Sequence, residues 1–219
     1  MSSARYSRRI ASFLTLTAVA FPFASFATED LVDGRDYTPL AQPRAPEIAG
    51  AVEVIEFFSY GCRGCYLFEP SLARWTATLP AHTLFTRIPI SLGYPKWKPL
   101  ARAHYSLETT GDLTRLRAPL FDAVHKQHKV LADGASIAAW IAEQGGDSAA
   151  FLRAFESDRV SDQAQRSEAL ARSFQVDRTP RLVIDRRYMV IGKEAKGFED
   201  WLSIADRLIE KSRHERALS

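Results

Sequence analysis

Cysteine and methionine are both scarce in this sequence, with two residues of each among 219. Two cysteines are too few for the disulfide-rich scaffold that holds together many small secreted domains. They also supply half of the four ligands that a structural zinc site needs. Histidines would have to complete such a site, and the candidate H-x-x-H pair, His125 and His128, lies about 60 residues further along the chain in a polar helical stretch. We therefore disfavour a zinc site.

An excess of charge is also missing once the N-terminus is set aside. Residues 1–27 hold Arg5, Arg8 and Arg9 and no acidic residue. Removing these three from the 29 lysines and arginines leaves 26, which equals the 26 aspartates and glutamates. No basic field remains for nucleic acid, and no charge run indicates binding to a membrane surface. We expect no nucleic-acid partner.

The longest apolar run of the sequence lies at the N-terminus. It extends from Ile10 to about Ala24, and Ser25-Phe26-Ala27 then places small residues where a signal peptidase cuts. We predict a cleaved secretory signal peptide over residues 1–27, with an uncleaved membrane anchor as the alternative. Arg8-Arg9 also allows twin-arginine export, but Ala11 stands where that signal favours a bulky apolar residue, so Sec export is preferred. Export leads to an oxidising compartment.

Both cysteines lie in one stretch, VIEFFSYGCRGCYLFEP, from Val54 to Pro70. Its apolar start, Val54 to Phe58, has the composition of a buried strand. The apolar residues after the cysteines recur at helical spacing: Phe68, Leu72, Trp75 and Leu79. The pair therefore lies where a strand ends and a helix begins.

A helix N-terminus favours a thiolate over a thiol, because it presents unpaired N–H groups and a partial positive charge. We therefore interpret Cys62, at the exposed tip, as the nucleophile, and Cys65, one turn further in, as the shielded resolving thiol. Arg63 adds a positive charge beside Cys62. A structural disulfide is a weaker interpretation, since so short a loop removes little entropy from the unfolded chain. Two inert thiols would need a reducing compartment.

The order of predicted elements is β-α-β, a helical block, then β-β-α. Residues 34–50 form an extended lead-in with a short edge strand near Asp36–Leu40, and apolar residues recur at helical spacing through four to five helices from Leu100 to Phe174. The other predicted elements are strands Val52–Phe58 and Leu84–Ile90 (parallel to each other), helix Cys62–Leu79, hairpin strands Arg181–Asp185 and Tyr188–Ile191, and a last helix from Phe198 to about Ile209. We expect Pro70 to kink its helix and Pro119 to end or break one.

This order, with C-x-x-C at the first helix, resembles the thioredoxin fold, and with a helical block before the last hairpin it resembles the periplasmic DsbA family of thiol–disulfide oxidoreductases. The matching segments are Gly34-Arg35-Asp36-Tyr37, Glu56-Phe57-Phe58-Ser59-Tyr60, Phe68-Glu69-Pro70 and Thr179-Pro180. The resemblance implies an α/β fold with an inserted all-helical domain. We expect a lead-in over residues 28–50, a thioredoxin-like domain over 51–97 and 176–215, and the helical insertion over 98–175.

The resemblance also implies roles for single residues. Cys62 matches the attacking thiolate and Cys65 its buried partner. Pro180, after Thr179, matches a cis-proline whose loop faces the disulfide and pairs with the substrate backbone; the residues alone favour an ordinary proline at a strand start.

Glu56 and Arg87 match an acid beneath the disulfide and its basic partner. In the family the acid helps to move the proton of the buried thiol. Without the resemblance, an edge position facing water is an equal interpretation of Glu56, because an unpaired glutamate is rarely buried.

The dipeptide between the cysteines departs from the family. Typical members carry Pro-His there, and the histidine stabilises the thiolate; this chain carries Arg63-Gly64. We expect the fixed charge of Arg63 to compensate in part, while Gly64 weakens the first helical turn by about 1 kcal/mol relative to alanine. These opposed effects leave the redox potential open.

The function implied is that of a periplasmic enzyme that introduces disulfides into reduced, unfolded exported proteins. Its redox group is the Cys62–Cys65 disulfide, without a bound cofactor or metal. A quinone-linked, DsbB-like membrane oxidase is the expected reoxidising partner, and we expect a monomer. Two alternatives stay open: an isomerase or reductase of the same chemistry, and a chaperone that binds peptides without redox cycling.

Overall fold

The computed structural model describes residues 30–43 and 50–217. The predicted signal peptide, residues 1–27, lies outside these ranges. Among the described residues, no helix is both long and apolar enough to cross a membrane.

A five-stranded sheet with the order β1-β5-β4-β2-β3 forms the centre of the molecule. Its strands are β1 Tyr37–Pro39, β2 Val52–Phe58, β3 Thr83–Pro89, β4 Arg181–Ile184 and β5 Tyr188–Val190. β2 is parallel to β3 and antiparallel to β4, and β1 pairs with β5 at the edge. The predicted strands, including the parallel pair and the edge strand of the lead-in, are therefore confirmed.

β2 is buried along its whole length because helices cover both faces of the sheet. Val52 and Val54 pack against α1 (Arg63–Thr76) and α7 (Phe198–Ala217). Ile55 and Phe57, which point the other way, pack against Ala171 and Phe174 at the end of α6. Such a strand reads as a continuous apolar run.

Five helices lie between β3 and β4: α2 Lys98–Thr110, α3 Leu113–His125, α4 Gly134–Glu143, α5 Ser148–Glu156 and α6 Asp158–Ser173. The apolar side chains of α2 to α5 form a core with Phe58, Tyr60 and both cysteines. The redox pair thus lies between the sheet and the helical block. The domain boundaries drawn from the sequence stay a prediction.

The prediction that Pro119 ends or breaks a helix is wrong. α3 continues through Pro119, as α1 does through Pro70. A proline in a helix interior costs about 3 kcal/mol. Leu116, Leu120 and Phe121 are almost fully buried on α3, and burial of each such side chain contributes about 1.5–3 kcal/mol. Packing therefore outweighs the lost backbone hydrogen bond.

The hairpin turn between β4 and β5 has no glycine, yet both central residues adopt left-handed backbone, with φ 56° at Asp185 and 52° at Arg186. Ion pairs hold the turn in place. Arg186 Nε lies 2.5 Å from Glu53 on β2, and Asp185 pairs with Arg216 on α7. Long-range contacts replace the Asn-Gly or Asp-Gly turn signal.

Candidate active site

Cys62 is the N-cap residue of α1. Its backbone is extended, and its Sγ accepts a hydrogen bond of 3.3 Å from the N–H of Cys65. The sulfur thus occupies the place where a Ser or Asp oxygen usually caps a helix. Both cysteines are free thiols, Cys62 with 8% of its surface exposed and Cys65 with 1%. Cys62 is therefore the more exposed of the two cysteines, as predicted.

The two thiols have opposed acidities. A hydrogen bond from the Cys65 thiol, together with those from Thr179 and the N–H groups of Cys65 and Gly64, lowers the pKa of Cys62 to about 5, although burial works in the opposite direction. Burial raises the pKa of Cys65 well above its ordinary value, with help from the charges of Cys62 and Glu56. At neutral pH, Cys62 is the thiolate and Cys65 holds the proton.

The Thr179–Pro180 loop lies against Cys62. Its peptide bond is cis, as the resemblance implies, and Cys62 Sγ donates a hydrogen bond of 3.3 Å to the Thr179 carbonyl. That acceptor favours the thiol form of Cys62. Thr179 Oγ1 is buried and has no hydrogen-bond partner among the described residues. A hydrogen bond from the Thr179 side chain to the ionised sulfur is among the causes that lower the pKa of Cys62.

Gly64 keeps the space between the loop and the sulfur open. A Cβ at this position would lie 3.3 Å from Pro180 Cδ and 3.6 Å from Cys62 Sγ. The first distance is tighter than an ordinary van der Waals contact, so a larger residue would push on Pro180.

Glu56 is buried in the centre of the sheet, with 2% of its surface exposed, so the alternative of an edge position facing water is wrong. It lies on the same face of β2 as Val52 and Val54, the face that α1 covers. Arg87 stands opposite it in the β2–β3 register, with Nε 3.4 Å from Glu56 Oε2. Burial raises the pKa of Glu56 to about 7, and the guanidinium of Arg87 only partly offsets this.

The sequence did not reveal that Glu69 and Arg117 extend this buried pair. Arg87 Nη1 donates to Glu69 Oε2 at 2.6 Å, and Arg117 Nε from α3 donates to Glu69 Oε1 at 3.2 Å. Two acids and two arginines thus alternate in one cluster. One feature of the sequence could have indicated that Glu69 belongs to the site. It follows Cys65 by four residues, which places both side chains on one face of α1.

In the sequence, His125 stands in a polar helical stretch far from the cysteines; in the structure it lies against the turn before Cys62. Its Nε2 donates a 2.7 Å hydrogen bond to the carbonyl of Tyr60, and its ring stacks on Tyr66 with centroids 5.0 Å apart. Burial lowers the pKa of His125. Among residues 30–43 and 50–217, no three His, Cys, Asp or Glu side chains converge as a metal site would require.

Arg63 is exposed, and its guanidinium carbon lies over the Tyr66 ring, 5.4 Å from the centroid. The charge is therefore partly engaged in a cation–π contact on the surface of α1. The donors that lower the pKa of Cys62 most are Cys65 and Thr179. The tuning role given to Arg63 stays a prediction.

Comparison with known proteins decides the family. A family model described as a DSBA-like thioredoxin domain matches residues 83–198, from β3 to the start of α7. The thiol:disulfide interchange protein DsbA of Pseudomonas aeruginosa is 35% identical over 185 residues, which cover 84% of this chain and 87% of that protein. The chain belongs to the DsbA family.

Further DsbA proteins extend the similarity to the cysteine pair, which precedes the residues matched by the family model. DsbA of Azotobacter vinelandii is 35% identical over 205 residues and covers 91% of this chain. The crystal structure of Pseudomonas aeruginosa DsbA superposes with a TM-score of 0.81 at 34% identity, over 87% of this chain and 98% of the other. The DsbA fold, thioredoxin-like with a helical insertion, and the assignment as a thiol–disulfide oxidoreductase are therefore confirmed.

Proposed function

We propose that this protein is a periplasmic disulfide oxidase that transfers the Cys62–Cys65 disulfide to reduced, unfolded exported proteins. The observation that carries the proposal is the geometry of the pair: Cys62 Sγ caps α1 and accepts a hydrogen bond from the N–H of Cys65, whose own thiol is buried. This arrangement lowers the pKa of Cys62 to about 5 and raises that of Cys65. A stabilised thiolate is a good leaving group, and it favours the reduced enzyme, which makes the disulfide oxidising. Membership of the DsbA family supports the same direction of transfer.

The transfer proceeds in two exchanges. A substrate thiolate attacks Cys62 Sγ, the Cys62–Cys65 bond breaks, and Cys65 departs with the electron pair and takes up a proton. A second substrate thiolate then attacks the substrate sulfur of the mixed disulfide, the substrate disulfide forms, and Cys62 leaves as a thiolate. Two electrons have passed from the substrate to the enzyme.

The surrounding residues have separate roles in this scheme. Thr179 and Pro180, next to Cys62, hold the substrate backbone, and the Thr179 hydroxyl donates to the departing Cys62 thiolate. Glu56 acts as the proton acceptor and donor for Cys65, because its pKa of about 7 lets it hold or release a proton at neutral pH. The positive charge of Arg87 stabilises the ionised form of Glu56 in its buried position.

The remaining partners follow from the family. A DsbB-like, quinone-linked membrane oxidase would restore the disulfide, with no bound cofactor in this chain. Residues 1–27 would act as a cleaved signal peptide, and the mature enzyme would act as a monomer.

Variants of the two cysteines test the proposal. Cys62→Ser should abolish oxidation of a reduced model protein. Cys65→Ser, mixed with the disulfide-bonded form of that protein, should accumulate the mixed disulfide formed when Cys62 attacks the disulfide and releases one of its thiolates, and mass spectrometry would locate it. A glutathione titration of the wild-type pair gives the potential. If alkylation of the reduced protein labels Cys65 before Cys62, the roles are reversed. If the wild-type protein does not oxidise the model protein, it is a chaperone without redox cycling.

A further inference from the structure

A polar cavity of about 590 Å³ opens between α6 and the segment that leads from β3 into α2. Ser91 and Lys98 line it on one side, and Arg166, Glu168 and Arg172 line it from α6. Within the part of the chain that the structure describes, the lining thus has three cations and one carboxylate, and it includes neither a cysteine nor the cis-proline loop. The cavity is therefore separate from the redox site.

The three cations of the cavity lack counter-ions among the described residues. Lys98, Arg166 and Arg172 are exposed, and none of them forms an ion pair or a side-chain hydrogen bond with another residue in the ranges 30–43 and 50–217. Arg178, a few residues beyond α6, is by contrast paired with Asp177 at 2.9 Å. Because like charges around one cavity repel each other, an anion bound between them would lower their electrostatic energy.

The carboxylate of Glu168 does not neutralise the cavity, because the backbone engages it. Its Oε1 accepts a 2.5 Å hydrogen bond from the N–H of Ser91, which ties the segment after β3 to α6. Counting Glu168 against the three cations leaves an excess of two positive charges. The Oγ of Ser91 accepts from the N–H of Gly93 at 3.3 Å, so its hydroxyl proton is available to a ligand.

We propose that this cavity binds the phosphate group of an anionic ligand, carried by a soluble organic phosphate or by a lipid headgroup. A phosphate group offers three acceptor oxygens, and two guanidinium groups can each bind it with paired hydrogen bonds. Ala169 is exposed on the α6 wall, and its short side chain leaves room over that wall. The volume lies inside the range of ligand pockets, about 300–1,000 Å³, so the phosphate can carry an organic substituent.

The test titrates the mature protein with inorganic pyrophosphate at constant ionic strength and follows the backbone amides by NMR. We expect saturable shifts at Ser91, Gly93 and Ala169, which sodium chloride should not reproduce. Arg172→Gln removes one charged donor and should weaken binding about tenfold. Arg159→Gln is the matched control, at an exposed position of α6 that does not line the cavity, and it should keep the wild-type affinity.

Ala169→Glu adds a carboxylate to the lining and should abolish the saturable shifts, with the unfolding midpoint as in the wild type. Vesicles of phosphatidylglycerol and phosphatidylcholine identify the source of the phosphate. Sedimentation of the wild-type protein with these vesicles that Arg172→Gln abolishes assigns a lipid headgroup, and any other result of this arm assigns a soluble organic phosphate. Absence of shifts at the lining amides, or equal pyrophosphate affinity in the wild type and Arg172→Gln, would overturn the proposal, as would an equal loss of affinity in Arg159→Gln.

Discussion

Glu56→Gln gives the sharpest quantitative prediction, because one buried carboxyl group links stability to pH. The pKa of Glu56 is raised from 4.5 to about 7 in the folded protein. Between these values the folded state holds one proton more than the unfolded state, so stability falls as pH rises through this window and stays reduced above it. At about 1.4 kcal/mol per pH unit, the loss amounts to about 3 kcal/mol.

Glutamine has the shape of the protonated carboxyl group and cannot ionise, so it removes this loss. We expect Glu56→Gln to raise the free energy of unfolding by about 3 kcal/mol at pH 8 and to change it little at pH 4. Urea unfolding at constant ionic strength, at several pH values between these limits, measures the difference. The measurement uses the reduced protein, in which both cysteines are free thiols, as in the structure.

Glu53→Gln is the matched control on the same strand. Glu53 is also buried, but its carboxylate lies 2.5 Å from the buried guanidinium of Arg186. Glutamine there leaves a buried charge undercompensated, and stability should fall at pH 8. The reasoning is refuted if Glu56→Gln destabilises the protein at pH 8, or if its effect is the same at pH 4 and pH 8.

Three further outcomes are expected around the sulfur. The ultraviolet absorbance of the reduced protein should show the Cys62 thiolate titrating near pH 5, and a midpoint near 9 would contradict the N-cap arrangement. Thr179→Val, which removes the buried hydroxyl next to the sulfur, should raise that midpoint, whereas an unchanged value would show that the hydroxyl does not donate to the thiolate. Arg63→Ala should raise it only partly, and less at high salt; an unchanged pKa with an altered preference for acidic substrates would make Arg63 a recognition residue.

Local patterns were sufficient to locate the redox pair. β2 has the bounds predicted from its sequence, Val52–Phe58, because burial on both faces leaves a run of apolar residues that only Glu53 and Glu56 interrupt. Cys62 is the N-cap of α1, at the place predicted from the apolar repeat that starts at Phe68. These features depend on residues close together in sequence, where spacing alone carries the information.

Contacts between segments that are distant in the sequence could not be predicted from local patterns. His125 and Arg117 reach the site from α3, which packs beside α1 only in the folded chain. Their sequence surroundings are those of ordinary surface residues. Glu56 shows the same limit: its burial depends on pairing of β2 with both β3 and β4, and the family resemblance supplied what the sequence pattern left open.

Two hydrogen bonds join Tyr60 to helices of the block that follows β3. Its hydroxyl hydrogen-bonds to His104 Nδ1 on α2 at 3.1 Å, and its carbonyl accepts from His125 at the end of α3. The helical block therefore serves as a clamp on the turn that presents Cys62. Splicing out residues 98–175 to obtain a minimal thioredoxin-sized enzyme would leave a buried tyrosine without either partner, and the redox turn would lose its shape along with the block.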